Sequence, residues 1–313
     1  MNNTGKKLSA PLRVYWDLAG ATAGGLDETK SVAVARELAS LKVFFAVLKL
    51  SHGPVSGLAG IIKALKEGGV RVTLSVSTPE SFPGRDAVSL SDGLDLSPND
   101  AQSLKYLINK VDAADMKEKG VSVSVVPEAG GAGLINEMFT IAADAGIRVF
   151  SLPNPDLVVG KGRERMFVLD DEDRALVKEA VEEVLKPLGD KARLFVHDLF
   201  LHRSIGLPSL AGLVEYAGCQ AGDAIAYIDR TGVVYPCSSL PKPLGNLGVC
   251  TLKEIWSGME RADIRARIME TPKGDAGCAG CAELAVCKGG CRGLAFAVSG
   301  LDSRDPGCSG KRG

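Results

Sequence analysis

Eight cysteines are the residues of this chain best able to do chemistry, and all of them lie in its last third. Four fall within fourteen residues, CAGCAELAVCKGGC, at positions 278–291. Two thiolates separated by two residues can reach one metal centre, and the intervening amides can donate hydrogen bonds to the sulfurs. The glycine and alanine residues between these cysteines permit that close approach. Cysteines at this density predict a metal centre rather than inert buried thiols.

The spacing of the cysteines favours iron–sulfur clusters over zinc. Zinc sites made of four cysteines usually combine two C-x2-C knuckles. This chain has one such knuckle, Cys278-x2-Cys281, and its other cysteines stand at irregular distances: Cys219, Cys237, Cys250, Cys287, Cys291 and Cys308. In a reducing compartment such cysteines are metal ligands more often than disulfides. Spacing alone leaves zinc open as the alternative.

The composition argues against several classes of protein. The 313 residues carry a net charge of −1 with a pI near 6.4, and the basic side chains form no stripe, so we expect no nucleic-acid partner. No apolar run approaches the roughly 18–20 residues of a membrane span, and the first residues lack the apolar core of a signal peptide. We therefore expect a cytoplasmic protein without membrane contact.

Short apolar runs alternate with amphipathic segments before the cysteines begin. Runs with the composition of buried strands occupy 12–18, 42–50, 70–77, 93–97, 121–126, 147–152 and 192–198. Strands separated by helices predict right-handed βαβ units and a parallel sheet. Because these strands are too few for an eight-stranded barrel, the expected fold class is α/β, with a partial (β/α)6-like barrel in residues 1–200. Residues 201–313, rich in Gly, Pro and Cys, are expected to form a small domain that bound metal holds together.

Two of the intervening segments have clear helical periodicity. One helix is predicted from about Asp100 to a stop at Gly120, with an apolar face formed by Leu104, Leu107, Ile108 and Val111. A second is predicted to begin near Asp171 and to end at Pro187 and Gly189, with an apolar face formed by Val177, Val181, Val184 and Leu185.

Several polar residues follow the predicted strands, where the mouth of a barrel would form. They are Asp17, Ser51, His52, Ser77, Glu128 and Asn154. Each is a candidate ligand-binding residue at the carboxyl ends of the strands, and each has a loop-capping or turn role as the alternative.

The cysteine pattern resembles the SPASM domain that follows the catalytic barrel in many radical S-adenosylmethionine (SAM) peptide-modifying enzymes. Seven cysteines carry the resemblance, in the order Cys-x12-Gly-x4-Cys, then Cys-x2-Cys-x5-Cys-x3-Cys, then a last Cys. The linker LGNLGVCTLKEIW is also similar to that family, with a capping box at Thr251 and Glu254 opening a helix. The resemblance implies two auxiliary [4Fe-4S] clusters. Its implied ligands are Cys219, Cys237 and Cys291 for the first cluster, and Cys278, Cys281, Cys287 and Cys308 for the second.

The resemblance leaves the fourth ligand of the first cluster open. Some family members carry a further cysteine six residues before the first one, where this chain has Leu213. Cys250 has no place in the motif, so it is either that fourth ligand or a spare thiol. An open iron site that accepts a substrate or partner group is the remaining alternative.

The opposite end of the chain departs from the radical SAM pattern. The text PLRVYWDLAG resembles the family's first strand, but the following ATAGGLDETK has no cysteine where C-x3-C-x2-C would bind the SAM-cleaving cluster. LSHGPVSG stands in place of the GGEP motif and has no Glu. Reductive SAM cleavage needs an iron that chelates SAM, and this loop offers it no thiolate. We therefore expect a degenerate barrel, no bound SAM and no independent catalysis.

The chain thus resembles the SPASM domain proteins of the GeoRSP peptide-maturation type. That resemblance implies an iron–sulfur accessory protein that acts with a true radical SAM enzyme, a small peptide-recognition protein and a precursor peptide. The alternative is a non-catalytic peptide-binding or partner-binding module whose iron–sulfur or zinc sites are structural. Unrelated chemistry in the barrel is disfavoured, because the sequence has no paired carboxylates, nucleophile elbow or phosphate loop.

Overall fold

The computed structural model describes residues 8–19, 26–159, 162–206, 218–272 and 278–310. The strands within these residues are β1 Arg13–Ala19, β2 Phe45–His52, β3 Arg71–Val76, β4 Gly93–Leu96, β5 Gly120–Ser124, β6 Val149–Leu152, β7 Arg193–Val196, β8 Ile225–Ile228, β9 Val233–Tyr235 and β10 Gly245–Asn246. The α-helices are α1 Glu28–Ser40, α2 Leu58–Glu67, α3 Arg85–Leu90, α4 Ala101–Lys110, α5 Ala113–Glu118, α6 Ala132–Asp144, α7 Asp171–Leu185, α8 Leu199–Ile205, α9 Leu252–Ser257, α10 Met259–Met269, α11 Leu284–Cys287 and α12 Arg292–Val298. Short 3-10 helices occupy Pro79–Ser81, Glu164–Phe167 and Lys186–Lys191.

The chain forms two compact units, and each is built from segments distant in sequence. The first unit comprises Met1–Leu94, Gln220–Ser238 and Lys242–Ala266. The second unit comprises Asp95–Cys219, Ser239–Pro241 and Arg267–Gly313. The expected division into a barrel up to residue 200 and a SPASM domain after it stays a prediction.

Parallel strands organise the first unit. Strand β1 pairs in parallel with β2 on one side and with β8 on the other, with Arg13 opposite both Phe45 and Ile225. Strand β3 continues the parallel order beside β2, whereas β9 runs antiparallel to β8 and β10 antiparallel to β9. Val14 and Trp16 of β1 are almost wholly buried, as expected for a strand covered on a face by helices. Helices α1 and α2 pack against each other in this unit.

The second unit repeats the βα arrangement with shorter strands. Strand β5 is parallel to β6, and β6 is parallel to β7, with Val149 opposite Ser122 and Arg193. Helix α6 packs against α4 and α7. The ring of Phe139 on α6 lies 4.9 Å from the ring of Phe150 on β6, measured between centroids. This aromatic pair ties the helix to the strand.

Each apolar run that was predicted to be a strand contains one, from β1 to β7. The helix predicted to begin at Asp171 is also confirmed as α7, and Val177, Val181 and Val184 are buried. The residues after α7 form the 3-10 helix Lys186–Lys191, so Pro187 and Gly189 end the α-helix as predicted.

The helix predicted from Asp100 to Gly120 is wrong beyond Lys110. Asp100 does cap α4, with its side chain accepting a hydrogen bond from the Ser103 N–H at 2.7 Å. The α4 helix then ends at Lys110, and the Asp112 side chain accepts from the Ala114 N–H at 3.0 Å to start α5. An aspartate that caps a new helix competes with continuation of the old one. Gly120 belongs to β5.

Helix α9 begins with the predicted capping box, which can be tested by mutation. The Thr251 side chain accepts from the Glu254 N–H at 3.2 Å, and the Glu254 carboxylate accepts from the Thr251 N–H at 2.8 Å. Thr251→Ala should lower the free energy of unfolding by about 1 kcal/mol in urea denaturation, because it removes a helix cap. Ser257→Ala, at the other end of α9, is the control and should change it by less than about 0.5 kcal/mol. Equal losses in the two variants would contradict a specific role for the cap.

Candidate metal centre

Tight turns place the cysteines at the end of the second unit. The Cys281 N–H donates to the Cys278 carbonyl at 3.2 Å, which closes a turn between the two thiols. Cys287 ends α11, and the next three residues, Lys288, Gly289 and Gly290, all have positive φ. A side chain on Gly290 would meet the Asp305 side chain at 2.5 Å. The GG pair is therefore needed both for its left-handed backbone and for the close approach of Asp305.

The thiols predicted to bind the second cluster lie within electrostatic range of one another. Burial raises the pKa of Cys278, and the thiols of Cys308, Cys287 and Cys281 raise it further, whereas Arg304 lowers it. Cys278 and Cys287 are buried, and Cys281 and Cys308 are half-buried. Cys278 thus interacts electrostatically with the other three thiols, although twenty residues separate Cys308 from Cys287 in the sequence. Their assignment as ligands stays a prediction.

The chemistry of the donor set fits an iron–sulfur cluster. Four thiols, with no imidazole or carboxylate among them, form a soft ligand set of the kind that iron–sulfur clusters and zinc prefer. In the described part of the chain, no group of three or more His, Cys, Asp or Glu side chains is arranged to hold a single metal ion. Positive charge from Arg304 favours the thiolate form that any such ligand must adopt.

Two N–H donors contact the sulfur of Cys291. It caps α12, and its sulfur accepts from the Leu294 N–H at 3.4 Å. The sulfur also accepts from the Asn154 side-chain amide at 3.5 Å. Amide donors of this kind stabilise a thiolate and tune a metal that it binds. Asn154 was one of the candidate residues at the ends of the strands, and the structure places it beside a predicted metal ligand.

The other predicted ligands of the first cluster are divided between the two units. Cys219 belongs to the second unit and is half-buried. Cys237 and Cys250 belong to the first unit, where Cys237 is half-buried and Cys250 is exposed. The grouping of Cys219, Cys237 and Cys291, and a role for Cys250, stay predictions. Leu213 and residues 21–25, the first half of the cysteine-free segment ATAGGLDETK, lie outside the described residues.

A buried carboxylate holds two of the cysteine-bearing turns in place. Asp305 is only 1% exposed, and it accepts from the Cys291 N–H at 2.6 Å and from the Gly307 N–H at 2.8 Å. Burial raises the pKa of Asp305 to about 7, and the charge of Asp198 adds to this. The two backbone N–H groups and Arg174 act in the opposite direction.

Arg174, on α7, also holds the turn at Gly307. Its guanidinium donates to the Leu169 carbonyl at 2.7 Å and to the Gly307 carbonyl. Gly307 precedes Cys308 in the sequence. Helix α7 therefore holds the residue next to the last predicted ligand. A buried arginine that donates to carbonyl groups is costly to replace, because the carbonyls would lose their donors.

The residues beyond the strands of the first unit form a separate polar group. The Ser51 hydroxyl donates to the Asp17 carboxylate at 3.1 Å, and the His52 Nε2 lies 3.7 Å from the same carboxylate. Asp17 is 2% exposed. Ser77 donates from its N–H to the Leu50 carbonyl at 3.1 Å, which is a structural role. In the second unit, Glu128 forms an ion pair with Arg163 at 3.2 Å.

The sequence analysis missed Asp305, Arg174 and Arg292, which surround the cysteines. Asp305 and Arg292 each lie within three positions of a predicted ligand, and the turn DPGC at 305–308 was a usable signal for the former. Nothing in the sequence pattern marks Arg174, because charged residues on a helix are usually solvated.

Comparison with known proteins identifies the class of this region. Residues 219–282 match the SPASM family model, described as an iron–sulfur cluster-binding domain. The chain therefore carries a SPASM domain. It is also 31% identical over 83 residues to an AdoMet-dependent heme synthase from Methanosarcina barkeri. That match covers 26% of this chain and about a quarter, 23%, of the relative.

Solved structures extend the likeness to the fold of nearly the whole chain. SuiB of Streptococcus suis, bound to its precursor peptide SuiA, matches 96% of this chain and 76% of its own with a TM-score of 0.67 at 16% identity. The protein anSMEcpe with bound AdoMet matches 95% of this chain and 94% of its own with a TM-score of 0.63 at 14% identity. The predicted α/β fold of radical SAM type with a SPASM domain is confirmed. No helix in the described ranges is long and apolar enough to cross a membrane.

Replacing Asp305 tests its support of the cysteine-bearing turns. Asp305→Ala should lower the free energy of unfolding of the metal-free protein by about 1–3 kcal/mol, because two buried N–H groups lose their acceptor. It should also speed thiol labelling at Cys291 and Cys308, followed by mass spectrometry of labelled peptides. Asp302→Ala is the matched control, since that exposed carboxylate pairs with Arg267 at 3.4 Å. Labelling rates that change equally in both variants would rule out the specific support.

The amide donor to Cys291 gives a spectroscopic prediction for the metal-loaded protein. Asn154→Leu keeps the approximate volume of the side chain and removes the N–H donor, so the midpoint potential of one cluster should become more negative. Electron paramagnetic resonance during a redox titration measures this change. Asn136→Leu serves as the control, because that amide donates to Glu183 on α7 at 2.7 Å. A potential that is the same in Asn154→Leu and in wild type would show that the Asn154 contact does not reach the metal site.

Proposed function

We propose that this chain is an iron–sulfur accessory protein of ribosomal peptide maturation, acting beside a separate radical SAM enzyme by electron transfer, substrate positioning or both. The observation that carries the proposal is the turn in which the Cys281 N–H donates to the Cys278 carbonyl at 3.2 Å, with Cys278 and Cys287 buried. The SPASM match over residues 219–282, which includes Cys278 and Cys281, supports iron–sulfur binding.

The cysteines that are absent from the sequence support an accessory role. The chain has no cysteine before Cys219, so residues 1–218 supply no thiolate for an iron that would chelate SAM. Its fold nevertheless matches enzymes of that class along nearly its whole length. A fold of this type that holds clusters only at its SPASM end is suited to serve a partner that cleaves SAM.

In the proposed function, two [4Fe-4S] clusters when bound supply one-electron storage and transfer. The thiolates of Cys219, Cys237 and Cys291 would hold the first, with Cys250 as the candidate fourth ligand. The thiolates of Cys278, Cys281, Cys287 and Cys308 would hold the second. The protein's part is to bury Cys278 and Cys287 from water and to direct amide N–H groups at Cys291. Burial and hydrogen bonds to sulfur are the means by which a protein sets cluster potentials.

The partners in this proposal are a radical SAM/SPASM enzyme, a small peptide-recognition protein and a precursor peptide. One electron would pass between the active site of that enzyme and this chain, whichever of the two is the donor. The structural likeness to SuiB, which is bound to a precursor peptide in its crystal structure, supports a peptide partner. We place the protein in the cytoplasm, where thiols stay reduced for metal binding.

Anaerobic purification followed by iron, sulfide and zinc analysis tests the cofactor. Two clusters should give about eight iron atoms per chain and a signal in electron paramagnetic resonance after reduction by dithionite. Cys281→Ser should lower the iron content by up to about half, because it removes a ligand of one of two clusters. Cys250→Ser is the matched variant, and a full iron content in it would identify Cys250 as a spare thiol. Stoichiometric zinc without iron would favour the structural-module alternative.

A second arm of the experiment tests the accessory role. The dithionite-reduced protein is incubated with SAM, and no 5′-deoxyadenosine should form. Detection of 5′-deoxyadenosine would contradict the degenerate barrel. Mixing the reduced protein with an oxidised partner enzyme should transfer electrons to it, and peptide binding that persists without any electron transfer would instead support the non-catalytic binding module.

A further inference from the structure

Arg292 follows Cys291 directly and is the most deeply buried arginine of the described residues, at 1% exposure. Its two terminal nitrogens donate to three backbone carbonyls. Nη1 contacts the Ser303 oxygen at 2.8 Å and the Gly289 oxygen at 3.5 Å, and Nη2 contacts the Leu301 oxygen. The side chain thereby ties the turn before Cys291 to the loop that leads to Cys308.

The Nε atom of Arg292 is buried and has no hydrogen-bond partner among the described residues. An arginine side chain has five N–H donors, and leaving one of them unsatisfied inside a protein is costly. The Nε–H therefore has no acceptor among the described protein atoms and can donate to a bound group.

The charges around Arg292 come from the cysteine sites. Burial lowers the pKa of Arg292, and Cys219, Asp305, Cys278 and Cys291 act in the opposite direction. Cys219 and Cys291 belong to the predicted ligands of the first cluster, and Cys278 belongs to those of the second. The guanidinium is thus within electrostatic range of thiols from both predicted ligand sets, and all these residues lie in the second unit.

The physical consequence concerns the potentials of the clusters. A buried cation is costly without compensation, so negative charge nearby stabilises it. Thiolate-bound clusters provide that charge, and reduction adds one more negative charge to a cluster. A fixed cation close by therefore favours the reduced form and makes the midpoint potential less negative.

We propose that Arg292 is a positioning residue that sets the reduction potentials of both cluster sites, through its buried charge and its unpaired Nε–H. The inference rests on the proposed function, because it requires that the clusters bind. It goes further by assigning one residue outside the cysteine motif to the control of both sites.

The test compares variants of Arg292 by redox titration of the whole metal-loaded protein. The probe is dithionite with mediators, which gives one electron to each cluster, and the readout is electron paramagnetic resonance. In Arg292→Gln and Arg292→Met the equilibrium for reduction should fall by about tenfold at each cluster, or ~59 mV for a one-electron couple. Arg292→Lys keeps the charge but loses the Nε–H, so it should give a smaller shift in the same direction.

Arg261 provides a matched control in the first unit. It is also an arginine buried to 7% exposure that donates to a carbonyl, the Gly222 oxygen at 3.0 Å, and its Nε also has no partner within the described chain. Its cation lies over the Trp256 ring at 5.1 Å. Arg261→Gln should lower the thermal midpoint of unfolding without moving either potential.

The outcomes separate this inference from the proposed function. A wild-type protein without reducible clusters would refute the proposed function itself. Reducible clusters in wild type, with unchanged potentials in Arg292→Gln or Arg292→Met, would overturn the role of Arg292 alone. If neither Arg292→Gln nor Arg292→Met binds iron, Arg292→Lys is the deciding variant. Cluster potentials in Arg292→Lys that are identical to those of wild type would then overturn the role of Arg292. An equal shift in Arg261→Gln would show a general stability effect and would also overturn it.

Discussion

Mutual repulsion among thiolates is the constraint on which the second unit depends. Burial raises the pKa of Cys278, and the thiols of Cys308, Cys287 and Cys281 raise it further, because each added negative charge disfavours the next. A site of this kind is stable only if other groups offset the charge. The structure supplies them as cations, Arg304 and Arg292, and as amide N–H groups that donate to the sulfur of Cys291. The surroundings of the cysteines follow from this requirement.

Asp305 is a buried carboxylate beside the cysteine-bearing turns. Burial raises its pKa to about 7, and the charge of Asp198 raises it further. Its function in the fold is to accept two backbone N–H groups, from Cys291 and Gly307. Arg174 lies close enough to lower its pKa and donates to the carbonyl of Gly307. The turn before Cys308 is therefore held by an acid and a base from different parts of the chain, at little net cost in charge.

The sequence predicted those features that depend on local pattern. Buried parallel strands are continuous apolar runs, so β1 to β7 could be found, and the Thr251 capping box could be found from two residues three apart. The end of α4 could not be found, because Asp112 continues the helical pattern in sequence but caps α5 in the structure. The supports of the cysteines were also missed. Asn154 and Arg174 are more than 130 positions from their contacts at Cys291 and Gly307, and no periodicity records such pairs.

In the first unit, strand β1 is bound closely to the segments that follow Cys219 in sequence. Strand β8, which follows Cys219 closely, pairs in parallel with β1, and β9 pairs with β8 in turn. The Glu37 carboxylate on α1 accepts from the Lys253 N–H at 3.0 Å, at the start of α9. A side chain on Gly232 would meet Leu26 at 2.9 Å, so the two segments are also in close packing contact.

Strands β8 and β9 and helix α9 all lie within the SPASM match at 219–282. Without β1, the strand β8 would have an unpaired edge, and an unpaired edge inside a packed unit is unstable. The first strand is thus a structural partner of the segment that matches the SPASM model.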